Sequence, residues 1–170
     1  MLIRTARPDE YEQIGELTVR VYLAEGYTRL GSHYLGVLAD VAGRAGKAEV
    51  VVAVDTLAGA ADTILGTVTY AGYGSPYAET ATAPDEAGFR MLVVDPAARG
   101  QGVGDALVRW CIERARQDGA RVLRLSTQAG MASAARLYAR LGFTRTPDLD
   151  WTPEPDVDLL TYERIIPAGR

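Results

Sequence analysis

Cysteine and histidine are almost missing from the chain: Cys111 and His33 are the sole examples in 170 residues. A lone cysteine closes no internal disulfide, and together the two cannot build the Cys/His sets that hold zinc, so no metal site is expected. No G-x-S-x-G elbow occurs and a Ser-His-Asp triad would have to be assembled on His33, which argues against hydrolytic triad chemistry. The G-x-x-x-x-G-K-[ST] pattern is absent as well, which removes P-loop nucleotide hydrolysis. Long apolar runs are lacking: the longest, Val50 to Val54, is far short of the roughly 20 residues a membrane helix requires. With a strand-like N-terminus carrying Arg4 early, the expectation is a cytoplasmic protein without a membrane partner.

What remains is ordinary globular composition, 48% hydrophobic and 24% charged, at a length that suits one domain over residues 1–170. The net charge of −4 is unevenly spread. Arg90 to Arg145 holds ten arginines against Asp95, Asp105, Glu113 and Asp118, a local +6, leaving −10 for the rest. Solvated helix faces account for this, and so does a protein that meets an anion with one half and a cation with the other. Scattered arginines and a low overall pI of about 5.1 give no contiguous basic stripe, so nucleic acid is not an expected partner.

Periodicity predicts the elements. Leu2 to Arg7 reads as a strand, and Pro8-Asp9-Glu10 opens a helix whose face is Tyr11, Ile14, Leu17, Thr18 and Val21, ending near Gly26. Tyr34 to Ala42 repeats the helical period. Glu49 to Asp55 and Thr63 to Tyr70 are β-rich runs joined by a small, Gly-containing connection, as antiparallel neighbours would be. Gly72 to Gly88 is a long loop, of the kind that is often functional. Phe89 to Val94 is a strand stopped by Asp95-Pro96, and Gly102 to Asp118 is a helix capped by Gly119. A strand from Arg121 to Ser126, a helix from Ala132 to Leu141 and a closing strand pair follow, with Pro147 to Asp158 as the pair's connection. This order gives an α/β domain with a mixed sheet.

The informative stretch runs from Met91 to Val108: a strand, then Arg99-Gly100-Gln101-Gly102-Val103-Gly104, then a helix. Glycines there permit positive φ and let a ligand approach the backbone, so several N–H groups and the helix dipole can meet one anion, with Arg99 adding a full charge. A tight strand-to-helix turn needs no ligand, but a phosphate or pyrophosphate fits. A dinucleotide G-x-G-x-x-G starting at Gly100 fails at Asp105.

The loop resembles the acetyl-CoA loop of the GNAT superfamily of N-acetyltransferases, R/Q-x-x-G-x-G/A, at every fixed position. A second element, Ser133-Ala134-Ala135-Arg136-Leu137-Tyr138-Ala139-Arg140-Leu141-Gly142-Phe143, is similar to the family's later helix, N-x-x-A-x-x-L-Y-x-x-x-G-F. The family's asparagine falls on Met131, so its polar contact is absent or comes from a neighbour such as Ser133. The resemblance implies a GNAT-like fold: a mixed, mostly antiparallel sheet of about seven strands with a central splay, flanked by about four helices. It also implies acetyl-CoA as co-substrate, with pantetheine along Leu92, Val93 and Val94 in the manner of an added strand. The pyrophosphate would rest on Arg99, Gly100, Gln101, Gly102, Val103 and Gly104.

The implied reaction is direct transfer of an acetyl group to a primary amine of a small molecule or peptide. Tyr138 is the expected general acid, although it also belongs to the apolar face of Ala134, Leu137 and Leu141. Glu86, and next Glu79, are the candidate bases, each equally explained as an exposed loop carboxylate; an amine that binds neutral needs neither. Tyr27, Tyr34, Tyr73 and Trp151 are expected near a cationic acceptor. Cys111 shares a helical face with Leu107 and Trp110 and reads as structural, not as a nucleophile. A non-catalytic acyl-CoA sensor of the same fold is the alternative, as monomer or homodimer in either case.

Overall fold

The apolar run from Val50 to Val54 forms the core of β2 (Glu49–Asp55) and is buried along its whole length, which is why it lacks polar alternation. The computed structural model describes residues 1–56 and 61–167, so most of the connection expected after β2 lies outside the described residues. β1 (Leu2–Thr5) lies antiparallel to β2, from Leu2 opposite Val54 to Thr5 opposite Val51. The other strands are β3 (Thr63–Gly72), β4 (Glu86–Val94), β5 (Val122–Gln128), β6 (Thr144–Arg145), β7 (Trp151–Glu154) and β8 (Val157–Ile165). Five helices accompany them among the described residues: α1 (Tyr11–Ala24), α2 (Tyr34–Ala39), α3 (Val41–Ala45), α4 (Val103–Gln117) and α5 (Ala132–Arg140). The sheet order is β1-β2-β3-β4-β5-β8-β6, with β7 on β8, a mostly antiparallel mixed sheet of the expected class.

The chain falls into two compact units, residues 1–69 with 91–108 and residues 70–90 with 109–170. In the first, Ile14, Leu17 and Val21 of α1 pack against Val50, Val52, Val54, Ile64 and Val93. Each such side chain, fully buried, contributes about 1.5–3 kcal/mol. The helix does not begin at Pro8 as its sequence suggests: Pro8–Glu10 is a 3-10 turn, and Glu10 is drawn back onto Arg4, whose guanidinium also reaches Asp62. Bonded by Arg4, the Glu10 carboxyl is held at about 2. The helix expected over Tyr34 to Ala42 is broken at Asp40, whose side chain accepts from the Gly43 N–H and starts α3.

The second unit is built on β5 and β8, antiparallel from Val122 opposite Ile165 to Gln128 opposite Leu159. On its other side β5 pairs in parallel with β4, but only from Glu86 opposite Val122 to Gly88 opposite Arg124. No further pair of these two strands follows among the described residues. β4 thus starts at Glu86, three residues before the predicted Phe89. The Pro147–Asp158 connection holds a strand of its own, β7, hydrogen-bonded to β8 alone among the described residues. Pro153 donates no ladder bond, and this edge strand tolerates it. No helix among the described residues is long and apolar enough to cross a membrane.

Candidate functional site

In the first unit, β4 ends where the Asp95 N–H donates to Leu65 O at 2.8 Å and the Asp95 side chain accepts from Ala97 N, starting a 3-10 turn over Pro96–Ala98. The chain then passes through Gly100 and Gly102 at φ +77° and +78°, a region costly for any other residue type. A Cβ at either position would meet nothing within 4 Å, so the space facing this backbone is open. The first bond of α4 runs from Ala106 N to Gly102 O; the N–H groups of Gly100, Gly102, Val103 and Gly104 have no acceptor among the described residues. Four donors at the positive end of a fifteen-residue helix, with open space before them, fit a multiply charged anion.

Two ion pairs tie α1 to this loop with crossed signs. Arg20 reaches Asp95 at 2.9 Å, and Glu25 at the end of α1 accepts from Arg99 Nη2 at 2.7 Å. Arg99 is half-exposed, and its other guanidinium nitrogens make no hydrogen bond among the described residues. Gln101 donates from Nε2 to Ala97 O, so its side chain braces the turn. Tyr27 stands in the field of the Glu25–Arg99 pair; burial, then Glu25, push its phenol up while Arg99 opposes them. Tyr27 and Tyr34 both gather on Tyr22, with ring centroids 5.7 and 6.2 Å away.

Along β4, Val93 is buried in the core while Leu92 and Val94 are half-buried. Met91 between them and Arg90 has φ +54°, a left-handed residue inside a strand that costs on the order of 1–3 kcal/mol and re-aims the backbone. Nothing in the sequence signalled it, since methionine is not a residue that favours this conformation.

The second unit holds Tyr138, on the last turn of α5 and 5% exposed. Three rings surround it: Phe89 at 6.0 Å, Phe143 at 5.9 Å and Tyr162 at 6.0 Å between centroids. Ser133 is exposed in the first turn of α5. Met131, where the motif expects asparagine, is the residue before α5, and the Thr127 hydroxyl donates to its sulfur at 3.0 Å.

Glu86 is the correction. It is no loop carboxylate but the first residue of β4, with a side chain only 9% exposed. Its Oε1 accepts from Arg124 Nη2 at 2.8 Å, and its Oε2 from Arg124 Nε at 3.2 Å, Thr82 N at 2.6 Å and Thr82 Oγ1 at 3.0 Å. Burial pushes the carboxyl up, but the Arg124 guanidinium and the Thr82 donors outweigh it and hold it at about 2. A carboxylate so saturated is a poor proton acceptor near neutral pH. Glu79 is also engaged, by Arg90, whose guanidinium lies 5.8 Å over the Tyr77 ring. Arg124 was the missed partner, although an arginine between Leu123 and Leu125 in a buried strand was its signal.

Of the residues expected near an acceptor, Tyr27 and Tyr34 lie in the first unit, and Tyr73 and Trp151 in the second. Tyr73 is 52% exposed, and Trp151 donates from Nε1 to Ser126 Oγ at 3.0 Å. Cys111 is fully buried.

A strand, a glycine loop and a helix of unfilled N–H groups in this sheet order define an acetyltransferase fold. Residues 11–143 match the acetyltransferase (GNAT) family, and the chain belongs to that family. Over 58 residues it is 44% identical to an aminoalkylphosphonate N-acetyltransferase of Salmonella typhimurium; the match covers 34% of this chain and 38% of that relative's length. Its fold is similar to a GNAT-family acetyltransferase of Staphylococcus aureus (16% identity, 98% and 99% of the two chains, TM-score 0.76). It is also similar to a ribosomal-protein-alanine N-acetyltransferase of Brucella melitensis (24%, 97% and 99%, TM-score 0.65). A further similar structure, from Salmonella typhimurium, contains its cofactor acetyl-CoA (22%, 99% and 95%, TM-score 0.67).

Proposed function

We propose that this acetyltransferase uses acetyl-CoA and delivers the acetyl group by direct transfer to the primary amine of a small molecule. The observation that carries the reading is the open backbone at Gly100 and Gly102, with four N–H groups lacking acceptors. These, with Arg99, would hold the diphosphate, and the backbone of Leu92, Val93 and Val94 would take the pantetheine arm as an extra strand. Gln101 acts indirectly, by bracing the turn. The partial likeness to an enzyme named for an aminoalkylphosphonate supports a small amine as acceptor.

The co-substrate supplies an acetyl group activated as a thioester. The new C–N bond replaces the C–S bond, the amine's surplus proton passes to water, the sulfur takes a proton from Tyr138 Oη, and the phenolate regains a proton from water. No side chain is assigned as base: with Glu86 and Glu79 both engaged, the acceptor enters as the neutral amine.

The same engagement of Glu86 and Glu79 favours one second reading, a CoA-binding module without catalysis. Calorimetric titration with CoA followed by thiol release across an amine panel separates the two. Binding with release for at least one amine is the expected result; binding without release supports the module, and absence of binding overturns both.

A further inference from the structure

The ring collar around Tyr138 has a feature that packing alone does not require. Tyr162 on β8 is opposite Arg145 on β6 in the strand register, and the Arg145 guanidinium sits 5.3 Å over the Tyr162 ring. Arg145 is itself fixed: Nη1 and Nη2 donate to the two oxygens of Asp150 at 2.7 Å each, and Nη1 also donates to Thr161 O at 2.7 Å. Asp150 completes the frame by accepting from the Thr161 N–H at 2.7 Å. A rigid bidentate pair therefore backs one ring of the collar, and that ring lies against Tyr138 at an interplanar angle of 52°. Phe89 and Phe143 take the remaining sides at 61° and 63° and are 6.0 Å from each other.

We infer that Tyr162, held from behind by the Arg145–Asp150 pair, is a positioning residue that fixes the direction of the Tyr138 hydroxyl. The inference rests on Tyr138 being the proton donor. The physical ground is that a phenol's second torsion is soft, broad and roughly two-fold: it leaves the oxygen in place but turns the ring plane in which the O–H bond lies, so the helix alone does not aim that bond. Rings tilted against it from three directions remove that freedom. Of the three rings, Tyr162 on β8 carries the only cation–π partner of the collar among the described residues. Proton transfer is sensitive to aim, so a loosened ring lowers turnover without altering how substrates bind.

The test is a double-mutant cycle with kcat, KM and CoA affinity as readouts. Tyr138→Phe should lower kcat by about 100-fold, within the range for loss of a general acid. Tyr162→Leu should lower kcat by about 10-fold with KM and CoA affinity unchanged within about twofold, and in the Tyr138→Phe background it should cost under about twofold, because its effect passes through Tyr138. Tyr162→Phe, which keeps the ring, should recover most of the loss. Arg145→Met is the second entry to the cycle should Tyr162→Leu fail to fold; it should lower kcat by about threefold, and only when Tyr138 is present. Equal losses in both backgrounds overturn the positioning role while leaving Tyr138 as the acid. An undiminished kcat in Tyr138→Phe overturns the acid assignment and the inference with it.

Discussion

Glu86→Gln distinguishes a structural clamp from a catalytic base. In the native chain the Glu86 carboxylate accepts two bonds from Arg124 and two from Thr82, while Arg124 also reaches Glu163 at 2.6 Å. A fall in its ionisation from 4.5 to about 2 is equivalent to about 3 kcal/mol of stability at neutral pH. Breaking a buried pair by removing one charge costs about 3–5 kcal/mol, and glutamine, which keeps the shape and one accepting oxygen, should recover part, leaving about 2–3 kcal/mol. The sign follows from the direction of the shift. A carboxyl lowered by folding stabilises the native state above its unfolded value of 4.5, and that contribution fades as pH falls through about 2.

Urea unfolding of the two proteins at pH 7 and at pH 3 measures this. The gap of about 2–3 kcal/mol at pH 7 should narrow to under about 1.5 kcal/mol at pH 3. Glu10 and Asp150, also held at about 2, weaken both proteins equally over the same interval and cancel in the difference. Acetyl transfer by folded Glu86→Gln should retain the acidic limb of its pH profile. A variant as stable as the parent at pH 7, yet inactive and stripped of that limb, would refute the reasoning and restore Glu86 as the base.

Gly102→Val forces a β-branched residue to φ +78° and puts a side chain into the open space over the loop, so calorimetry should show CoA affinity falling by more than about 30-fold while the melting temperature drops by several degrees. Gly66→Ala places a Cβ 2.6 Å from Val93 O and 2.9 Å from Val103 Cγ1, and urea unfolding should register a loss of about 2 kcal/mol. Cys111→Ala leaves a small cavity under α4 and should keep turnover within about twofold of the parent; abolished turnover would make the thiol a nucleophile. With the acceptor binding as neutral amine, the acidic limb of kcat/KM should follow the acceptor: an amine about one pH unit less basic should move that limb about one unit lower, and a limb indifferent to the acceptor would point to an enzyme base.

The readable parts of the fold are those whose cause is local. Positive φ at Gly100 and Gly102, and again at Gly119 and Gly142 beyond α4 and α5, could be placed from residue type because only glycine takes that conformation at little cost. The apolar run of β2 needed no partner to be recognised as buried. What escaped was set by partners far along the chain. Glu86 looks like a loop residue until Arg124, 38 positions away, and the Thr82 N–H close on it. β7 looks like a polar connection because the strand that makes it one, β8, is what supplies its hydrogen bonds. Met91 is the extreme case, since its strain is imposed entirely from outside.

The same division runs through the candidate site. The open loop at Gly100 and Gly102 is a matter of backbone geometry, which glycine spacing encodes, and so its conformation was legible in the sequence. Proton chemistry depends on which carboxylates are already engaged and on what surrounds a phenol, and neither is a property of the residues themselves. Asp150 illustrates the point: an acidic residue beside Trp151 is a natural ligand for a cationic acceptor, yet both its oxygens accept from Arg145. Its negative charge is therefore already balanced at a distance of 2.7 Å, leaving little attraction for a second cation. Acidic residues that lose their freedom in this way, Glu86 and Asp150 alike, serve instead to fix arginines against strands.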